Sequence, residues 1–207
     1  MQINERIIAF PCQEQERAGC TSYLITGPKT ILVDPGLDSG FSTVIQGLKR
    51  FGLSKGDIDV VLLTHGHPNH AEASARLAGQ ALIGMSRQEL QHRQTMGTAG
   101  QLPNPDFFLT EGGLHLGDIY LDVLRTPGHS PGHLCFYWPQ MRLVLSGDLL
   151  FDSGTGRVDL PDSNPLQLKS SLQQLKNLDL EYVLPGHGRI IAGKEAVEDA
   201  LRLVESG

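Results

Sequence analysis

Five short turns rich in glycine and proline constrain the fold of this chain more than any other sequence feature. Each follows a predicted strand and carries an acidic residue or a histidine; the turns are VDPG (33–36), THGHPNH (64–70), TPGHSPGH (126–133), SGD (146–148) and PGHG (185–188). Glycine and proline permit sharp backbone turns and then hold them, so polar side chains from distant parts of the sequence can converge at strand ends. The turns therefore predict a functional site assembled at the end of a sheet.

Length and composition predict an ordinary globular protein. A chain of 207 residues, 40% of them hydrophobic, can bury a substantial core as one domain or as a two-lobed unit, and we take residues 1–207 as a single domain. The formal net charge of -6 disfavours nucleic acid and anionic membranes as partners and favours a small-molecule substrate. We expect a monomer or a homodimer.

The N-terminus predicts a cytoplasmic protein. The segment MQINERIIAF lacks the basic and uninterrupted apolar regions of a signal peptide. No later apolar run approaches the roughly 20 residues that a membrane span needs, so we expect no membrane association.

The three cysteines favour a packing role. Cys12, Cys20 and Cys135 are widely spaced and form no CxxC pair, which indicates neither a disulfide framework nor a thiolate zinc site. A redox or nucleophilic cysteine remains the alternative.

The pattern of apolar residues predicts alternating strands and helices in an α/β layered fold. The predicted strands are residues 6–10, 22–26, 30–34, 60–64, 81–85, 119–125, 133–138, 142–146 and 182–184. The predicted helices are residues 41–52, 70–79, 165–178 and 194–206.

The histidines of THGHPNH are the first candidates for metal binding. In an extended segment His65 and His67 point to the same side, and Asn69 and His70 follow where the chain turns into the next helix. His129, Asp148 and His187 lie at the ends of other strands, and imidazole with carboxylate suits zinc, iron or manganese. For the remaining histidines a hydrogen-bonded structural role is favoured; they are His92, His115 and His133.

The motifs VDPG, HxHxNH, GHSPGH, SGD and PGHG, in this order, resemble those of the metallo-β-lactamase fold superfamily, whose first motif is usually HxHxDH. The resemblance implies an α/β (α+β) fold, an αββα four-layer sandwich of two mixed β-sheets flanked by helices. It implies one or two zinc ions, with iron or manganese as alternatives. The implied ligands are His65, His67 and His129 for the first metal, Asn69, His70 and His187 for the second, and Asp148 for both. Asp34 either supports the motif loop or is only a turn residue.

The segment FDSGTGRVDLPDSNPLQLKSSLQQL resembles the glyoxalase II branch, the hydroxyacylglutathione hydrolases and their relatives, through Gly156, Arg157 and Asp159. This implies a hydrolase of small thioesters or esters that uses a metal-bound hydroxide, with catalytic roles for Asn69 and Asp148. Arg157 either pairs with a carboxylate, the favoured role, or meets an anionic substrate. The sequence ends one helix after PGHG, before the helical domain that binds glutathione in full-length glyoxalase II, so we expect little preference for glutathione thioesters.

Asn69 departs from the usual motif because a neutral amide replaces a carboxylate. The change weakens the second metal site and predicts a mononuclear or unequally loaded centre. Asn69, with Glu72 three residues later, also fits the N-cap and capping box of the following helix. Two other functions stay open: a mononuclear-iron oxygenase related to persulfide dioxygenases, and a non-catalytic metal-binding or regulatory protein.

Overall fold

The computed structural model describes residues 1–12, 19–97, 102 and 104–204, and the chain divides into two compact units. The first unit comprises Met1–Leu109 and Leu116–Ile119, and the second comprises Thr110–His115 and Tyr120–Gly207. The described strands form two six-stranded mixed sheets accompanied by helices. The predicted α/β (α+β) class is therefore confirmed.

The first sheet has the strand order β1-β2-β3-β4-β5-β6. Its strands are Ile7–Phe10, Ser22–Ile25, Ile31–Val33, Val60–Leu62, Leu82–Ser86 and Phe107–Leu109. β1, β2 and β3 pair in antiparallel fashion, whereas β3 to β6 are parallel. Because the parallel strands β3 and β4 end side by side, with Val33 opposite Leu62, the turns VDPG and THGHPNH begin at the same edge.

The helices of the first unit are α1 (Phe41–Arg50), α2 (Pro68–Ala71) and α3 (Arg87–Thr95), with 3₁₀ turns at Lys55–Asp57 and Glu72–Leu77. α1 is amphipathic and buries Phe41, Val44 and Leu48. These side chains belong to the same apolar core as residues from every strand but the last of this sheet, among them Ile8, Leu24, Leu32, Val61 and Ile83. Burial of this face is what stabilises α1.

The second sheet has the order β12-β11-β10-β9-β8-β7. In chain order its strands are Gly112–Leu116, Ile119–Arg125, Leu134–Trp138, Leu143–Gly147, Tyr182–Pro185 and Ile191–Ala192. β10 and β11 are parallel, with Gly147 opposite Pro185, so the turns SGD and PGHG leave the sheet at one edge. The helices α4 (Pro165–Lys176) and α5 (Lys194–Leu203) share an apolar core with β9, β10 and β11.

All nine predicted strands are present, with ends shifted by at most two residues. The sequence reading missed the strands β6, β7 and β12 and the helix α3. α3 has no apolar stripe because its sequence is RQELQHRQT, and the residues it buries are Glu89 and Arg93. A helix that buries charged residues gives no signal in the periodicity of apolar residues.

The helix predicted over 70–79 is wrong in its bounds and type. The α-helix begins at Pro68 and ends at Ala71, and a 3₁₀ turn continues from Glu72 to Leu77. The Ser74 hydroxyl donates to the Ala71 carbonyl, a local contact that competes with the α-helical hydrogen-bond ladder.

The turn TPGHSPGH rests on the start of α4. The Gly128 carbonyl accepts a hydrogen bond from the Asn164 N–H at 2.6 Å, and the Pro127 carbonyl accepts one from the Ser171 hydroxyl at 2.7 Å. Gly128 has a φ of +142°, and a Cβ there would lie 2.3 Å from the backbone nitrogen of Leu168. The turn that carries His129 therefore requires glycine for both conformation and space.

We predict that Gly128→Ala destabilises the protein more than Gly154→Ala. Gly154 has a similar φ of +150° but no atom within 4 Å of its added Cβ, so both variants share a conformational cost of about 1–3 kcal/mol. Overlap with α4 should add about 1–3 kcal/mol for Gly128→Ala alone. Chemical denaturation of both variants measures the difference, and equal losses would show that α4 moves aside freely.

Candidate metal-binding residues

Three histidines converge where β4 ends in the first unit. His65 and His70 are buried, and His67 is half-buried. The His65 ring centroid lies 4.7 Å from that of His67, with the planes at 89°, and 4.2 Å from that of His70. The short α2 makes this cluster, because Pro68 fixes the backbone at its first position and the following turn brings His70 back beside His65.

Asp34 orients two of these rings through a buried hydrogen-bond network. Its carboxylate accepts from the Thr64 N–H at 2.8 Å, the Thr64 hydroxyl at 2.6 Å and His70 Nδ1 at 2.8 Å. The Thr64 oxygen also lies 3.0 Å from His65 Nδ1. Since the Thr64 proton goes to Asp34, its oxygen accepts from His65 Nδ1–H, and we assign both His65 and His70 as Nδ1–H tautomers on this network.

This network decides between the two roles considered for Asp34. Asp34 is buried. Its φ of +50° is a conformation found in turns, so the φ value alone is consistent with a turn residue. Its three accepted hydrogen bonds show in addition that it supports the histidine loop. Asp34, His65 and His70 also offer ligand atoms within 4.8 Å of one another.

The capping role predicted for Asn69 is wrong. The N-cap of α2 is His67, in an extended conformation, and Asn69 is the second helical residue. The Glu72 carboxylate accepts instead from the Asp38 N–H at 2.9 Å. Because proline is favoured at the first helical position, the helix starts at Pro68 and its N-cap lies two residues before the one that the capping pattern predicts.

Glu89 is a residue that sequence reasoning missed. Its side chain is fully buried on α3 and accepts from the Gly66 N–H at 2.8 Å, between His65 and His67. One signal was present in the sequence: Ser86 and Glu89 have the spacing of a capping box, and the Ser86 side chain does cap α3 by accepting from the Gln88 N–H. That signal predicts the helix but not the contact with Gly66.

The second unit brings His129, Asp148 and His187 together. His129 Nε2 lies 3.3 Å from Asp148 Oδ2, and His187 Nε2 lies 3.5 Å from Asp148 Oδ1. Each carboxylate oxygen is therefore beside a different imidazole. His129 and Asp148 are buried, whereas about a third of the His187 side chain is exposed.

His129 is oriented by the main chain of the segment that follows Asp148. Its Nδ1 lies 3.0 Å from the Arg157 carbonyl oxygen, which can only accept, so Nδ1 carries the proton. A Cβ on Gly156 would lie 2.1 Å from the Asp148 carbonyl oxygen and 2.9 Å from His129 Nδ1. Glycine at 156 is thus needed for this close approach.

The Arg157 side chain pairs with a carboxylate, as the favoured prediction has it. It forms a two-pronged ion pair with Asp159, with N–O distances of 2.9 and 2.8 Å. Both side chains are largely exposed, so the pair adds little stability of its own. The pair links two nearby residues of the short segment whose backbone contacts His129.

His133 has the structural role expected of it. Its Nδ1 lies 2.9 Å from the Thr126 hydroxyl oxygen, and its Nε2 accepts from the Asp148 N–H at 3.1 Å. It thereby fixes the backbone of Asp148. The other two histidines lie apart from the ligand sets: His92 is on α3, and His115 contacts Tyr120 with ring centroids 4.8 Å apart and the planes tilted by 51°.

An ion pair braces the turn that carries His187. Asp152 accepts from the Arg189 N–H at 3.2 Å and from Arg189 Nε at 2.9 Å. The Arg189 side-chain hydrogen bond lowers the pKa of Asp152 below its usual value, against the effect of burial. The carboxylate therefore stays ionised at neutral pH and keeps the turn in place.

The buried cysteines fit the packing role predicted for them. Cys20 and Cys135 are buried, and their sulfur atoms contact the backbone carbonyls of Asp34 at 3.6 Å and Ser146 at 3.5 Å. Cys12 is half-buried. In the part of the chain that the structure describes, no helix is long and apolar enough to cross a membrane.

Comparison with known proteins places these observations in a family. The model of the metallo-β-lactamase superfamily matches residues 16–187. A relative from Methanocaldococcus jannaschii, "Probable metallo-hydrolase MJ0888", is 30% identical over 184 residues, which are 82% of this chain and 87% of that protein. "Hydroxyacylglutathione hydrolase GloC" of Haemophilus influenzae is 32% identical over 173 residues, 76% of this chain and 79% of that protein.

A solved structure agrees with the sequence relatives. The protein TTHA1623, determined in a di-iron-bound form, is 32% identical and superposes with a TM-score of 0.73 over 95% of this chain and 96% of that chain. Its name and those of the relatives describe metal-binding proteins or hydrolases. From its sequence, its two mixed sheets and its histidine and aspartate clusters, this chain belongs to the metallo-β-lactamase superfamily.

Proposed function

We propose that the protein is a metal-dependent hydrolase of small thioesters or esters, similar to glyoxalase II. The observation that carries the proposal is the shared state of His65, His70 and His129. Each holds its Nδ1 proton in a hydrogen bond to a protein oxygen, so Nε2 is the unprotonated nitrogen and could donate its lone pair to a metal. Ligand histidines in metalloenzymes are oriented in this way.

The donor set fits a divalent transition metal. We propose as ligands His65, His67 and His70 from the first unit and His129, Asp148 and His187 from the second. Imidazole nitrogens with a carboxylate suit zinc, and they also suit iron or manganese. A bound divalent ion would polarise the substrate carbonyl and activate a water molecule at neutral pH.

The protein's own groups hold these donors in place. Asp148 directs its two oxygens to two different imidazoles, so it could provide an oxygen ligand to one ion or to two. The His133 imidazole accepts from the Asp148 N–H, and Gly156 packs closely against the Asp148 carbonyl oxygen. We also propose that residues 1–207 act as one domain, since the family match at residues 16–187 includes parts of both units.

A mononuclear-iron oxygenase is the second candidate function. Asn69 supplies a neutral amide where the superfamily motif usually has a carboxylate, which favours one strong site over two. Two histidines and one carboxylate are the donor set of many non-haem iron oxygenases. The relative TTHA1623, determined in a di-iron-bound form, supports iron as the metal but not a single site.

We predict that the purified protein contains a transition metal and hydrolyses short acyl-thioesters. His129→Ala should lower both metal content and rate by more than about 10–100-fold, the loss typical of removing only an outer partner of a ligand. His115→Ala is the matched control, because this exposed histidine lies outside both ligand sets. Elemental analysis and a panel of thioesters, including a glutathione thioester, provide the measurements.

Other outcomes of the same panel would redirect the proposal. Oxidation of a persulfide without thioester hydrolysis would favour the iron oxygenase. Bound metal without turnover on either substrate class would favour a binding or regulatory protein. Metal content unchanged in His129→Ala would contradict the ligand assignment.

We predict that Asn69→Asp raises the metal stoichiometry towards two per chain. The two side chains have nearly the same shape, and a carboxylate in the first turn of a helix is favourable, so the fold should persist. The added charge strengthens attraction for a second dication. Elemental analysis after dialysis against trace metal tests this.

The control makes the same chemical change outside the motifs that carry the histidines. Asn4→Asp keeps the side-chain oxygen that accepts from the N–H groups of Arg6 and Ile7. It should leave the stoichiometry unchanged. If the native protein already holds two tightly bound metals, the amide is an adequate ligand and the expected unequal loading is wrong.

A further inference from the structure

The polar helix α3 buries a carboxylate behind the histidine motif. Glu89 is fully buried, and Arg93, four residues later on the same helix, is 8% exposed. Residues at this spacing are neighbours on a helix surface. Burying charged groups costs free energy unless other groups compensate them, so the contacts of Glu89 need a specific explanation.

Glu89 contacts the peptide that separates the first two histidines. Its Oε2 accepts from the Gly66 N–H at 2.8 Å. The fit is tight, because a Cβ on Gly66 would lie 3.0 Å from Glu89 Oε2 and 3.1 Å from Arg93 Nε. The loop therefore rests directly on these two side chains.

We propose that Glu89 is a positioning residue that sets the relative orientation of His65 and His67 for metal binding. The hydrogen bond fixes the Gly66 N–H, and with it the peptide plane between the two ligands. The N–O distance of 2.8 Å is that of a well-formed hydrogen bond. The perpendicular rings of His65 and His67, 4.7 Å apart, are held by this restraint.

A purely structural role explains the carboxylate less well. Apolar side chains of similar volume stabilise a buried position at least as well as an ionic group does. What the carboxylate adds is a directed acceptor for one N–H of the loop. The proposal rests on the metal site proposed above and extends it to α3.

Two conservative substitutions of Glu89 distinguish the effect of side-chain length from the effect of side-chain charge. Glu89→Asp keeps the charge beside Arg93 but withdraws the carboxylate by about 1.5 Å, one C–C bond, so it no longer reaches Gly66. Glu89→Gln keeps the length and an acceptor oxygen but removes the charge. If Glu89 is a positioning residue, metal affinity depends on whether the side chain is long enough to contact Gly66. If its role is only structural, metal affinity falls in proportion to the loss of protein stability.

The test uses cobalt(II) as the probe, titrated into the metal-free full chain. We expect Glu89→Asp to weaken cobalt binding about 10–100-fold and to shift the visible absorption bands that report ligand geometry. Glu89→Gln should bind within about threefold of the native protein and keep its spectrum, although the lost charge lowers its Tm.

Two control variants calibrate these measurements. Gln94→Ala changes an exposed residue of the same helix and should alter neither Tm nor affinity. Leu48→Ala removes a buried side chain from the core of the same unit and should lower Tm without changing the cobalt spectrum. It measures how much affinity is lost through destabilisation alone.

Three results would count against specific parts of the scheme. Native affinity and spectrum in Glu89→Asp would overturn the positioning role. Cobalt affinity that simply follows Tm across all variants would overturn it as well. If the native protein bound no cobalt, the proposed metal site itself would be wrong, which is a different failure from that of Glu89.

Discussion

The carboxylate of Asp34 is the contact on which the geometry of the first histidine cluster depends. It follows β3, and its three accepted hydrogen bonds tie that strand to Thr64 at the end of β4 and to His70 beyond it. The parallel pairing of β3 with β4 makes this possible, because it places the two strand ends side by side. Without Asp34, buried donors would lose their acceptor, at about 1–3 kcal/mol each.

In the second unit, hydrogen bonds also hold the candidate ligands in place, but different chemical groups provide them. There a main-chain carbonyl, that of Arg157, holds the His129 ring, and an imidazole, that of His133, holds the Asp148 backbone. Neither group brings a charge into the interior, so neither needs a compensating partner there. Arg157 thus acts through its backbone, while its side chain closes the segment by pairing with Asp159.

The sequence predicts those parts of the structure that depend on the pattern of neighbouring residues. Apolar runs ending in glycine and proline predict the strands and the turns that carry His65, His129, Asp148 and His187. The Glu89 contact could not be predicted, because it joins residues 23 positions apart through the backbone of Gly66. The capping role predicted for Asn69 was wrong. Asn69 and Glu72 have the spacing of a capping box, but Pro68 begins the helix earlier, so His67 is the N-cap.

Asp34 places a negative charge close to the position where Asn69 lacks one. Asn69 leaves the proposed ligand set without the carboxylate of the usual motif, but a buried carboxylate lies one hydrogen bond away, on Nδ1 of His70. Such a partner increases the basicity of a ligand imidazole. His129, by contrast, is held by a neutral carbonyl. If His70 is a ligand as proposed, the negative charge missing at position 69 is partly offset at the adjacent histidine, and we expect the affinity for a second metal to depend on Asp34 as well as on Asn69.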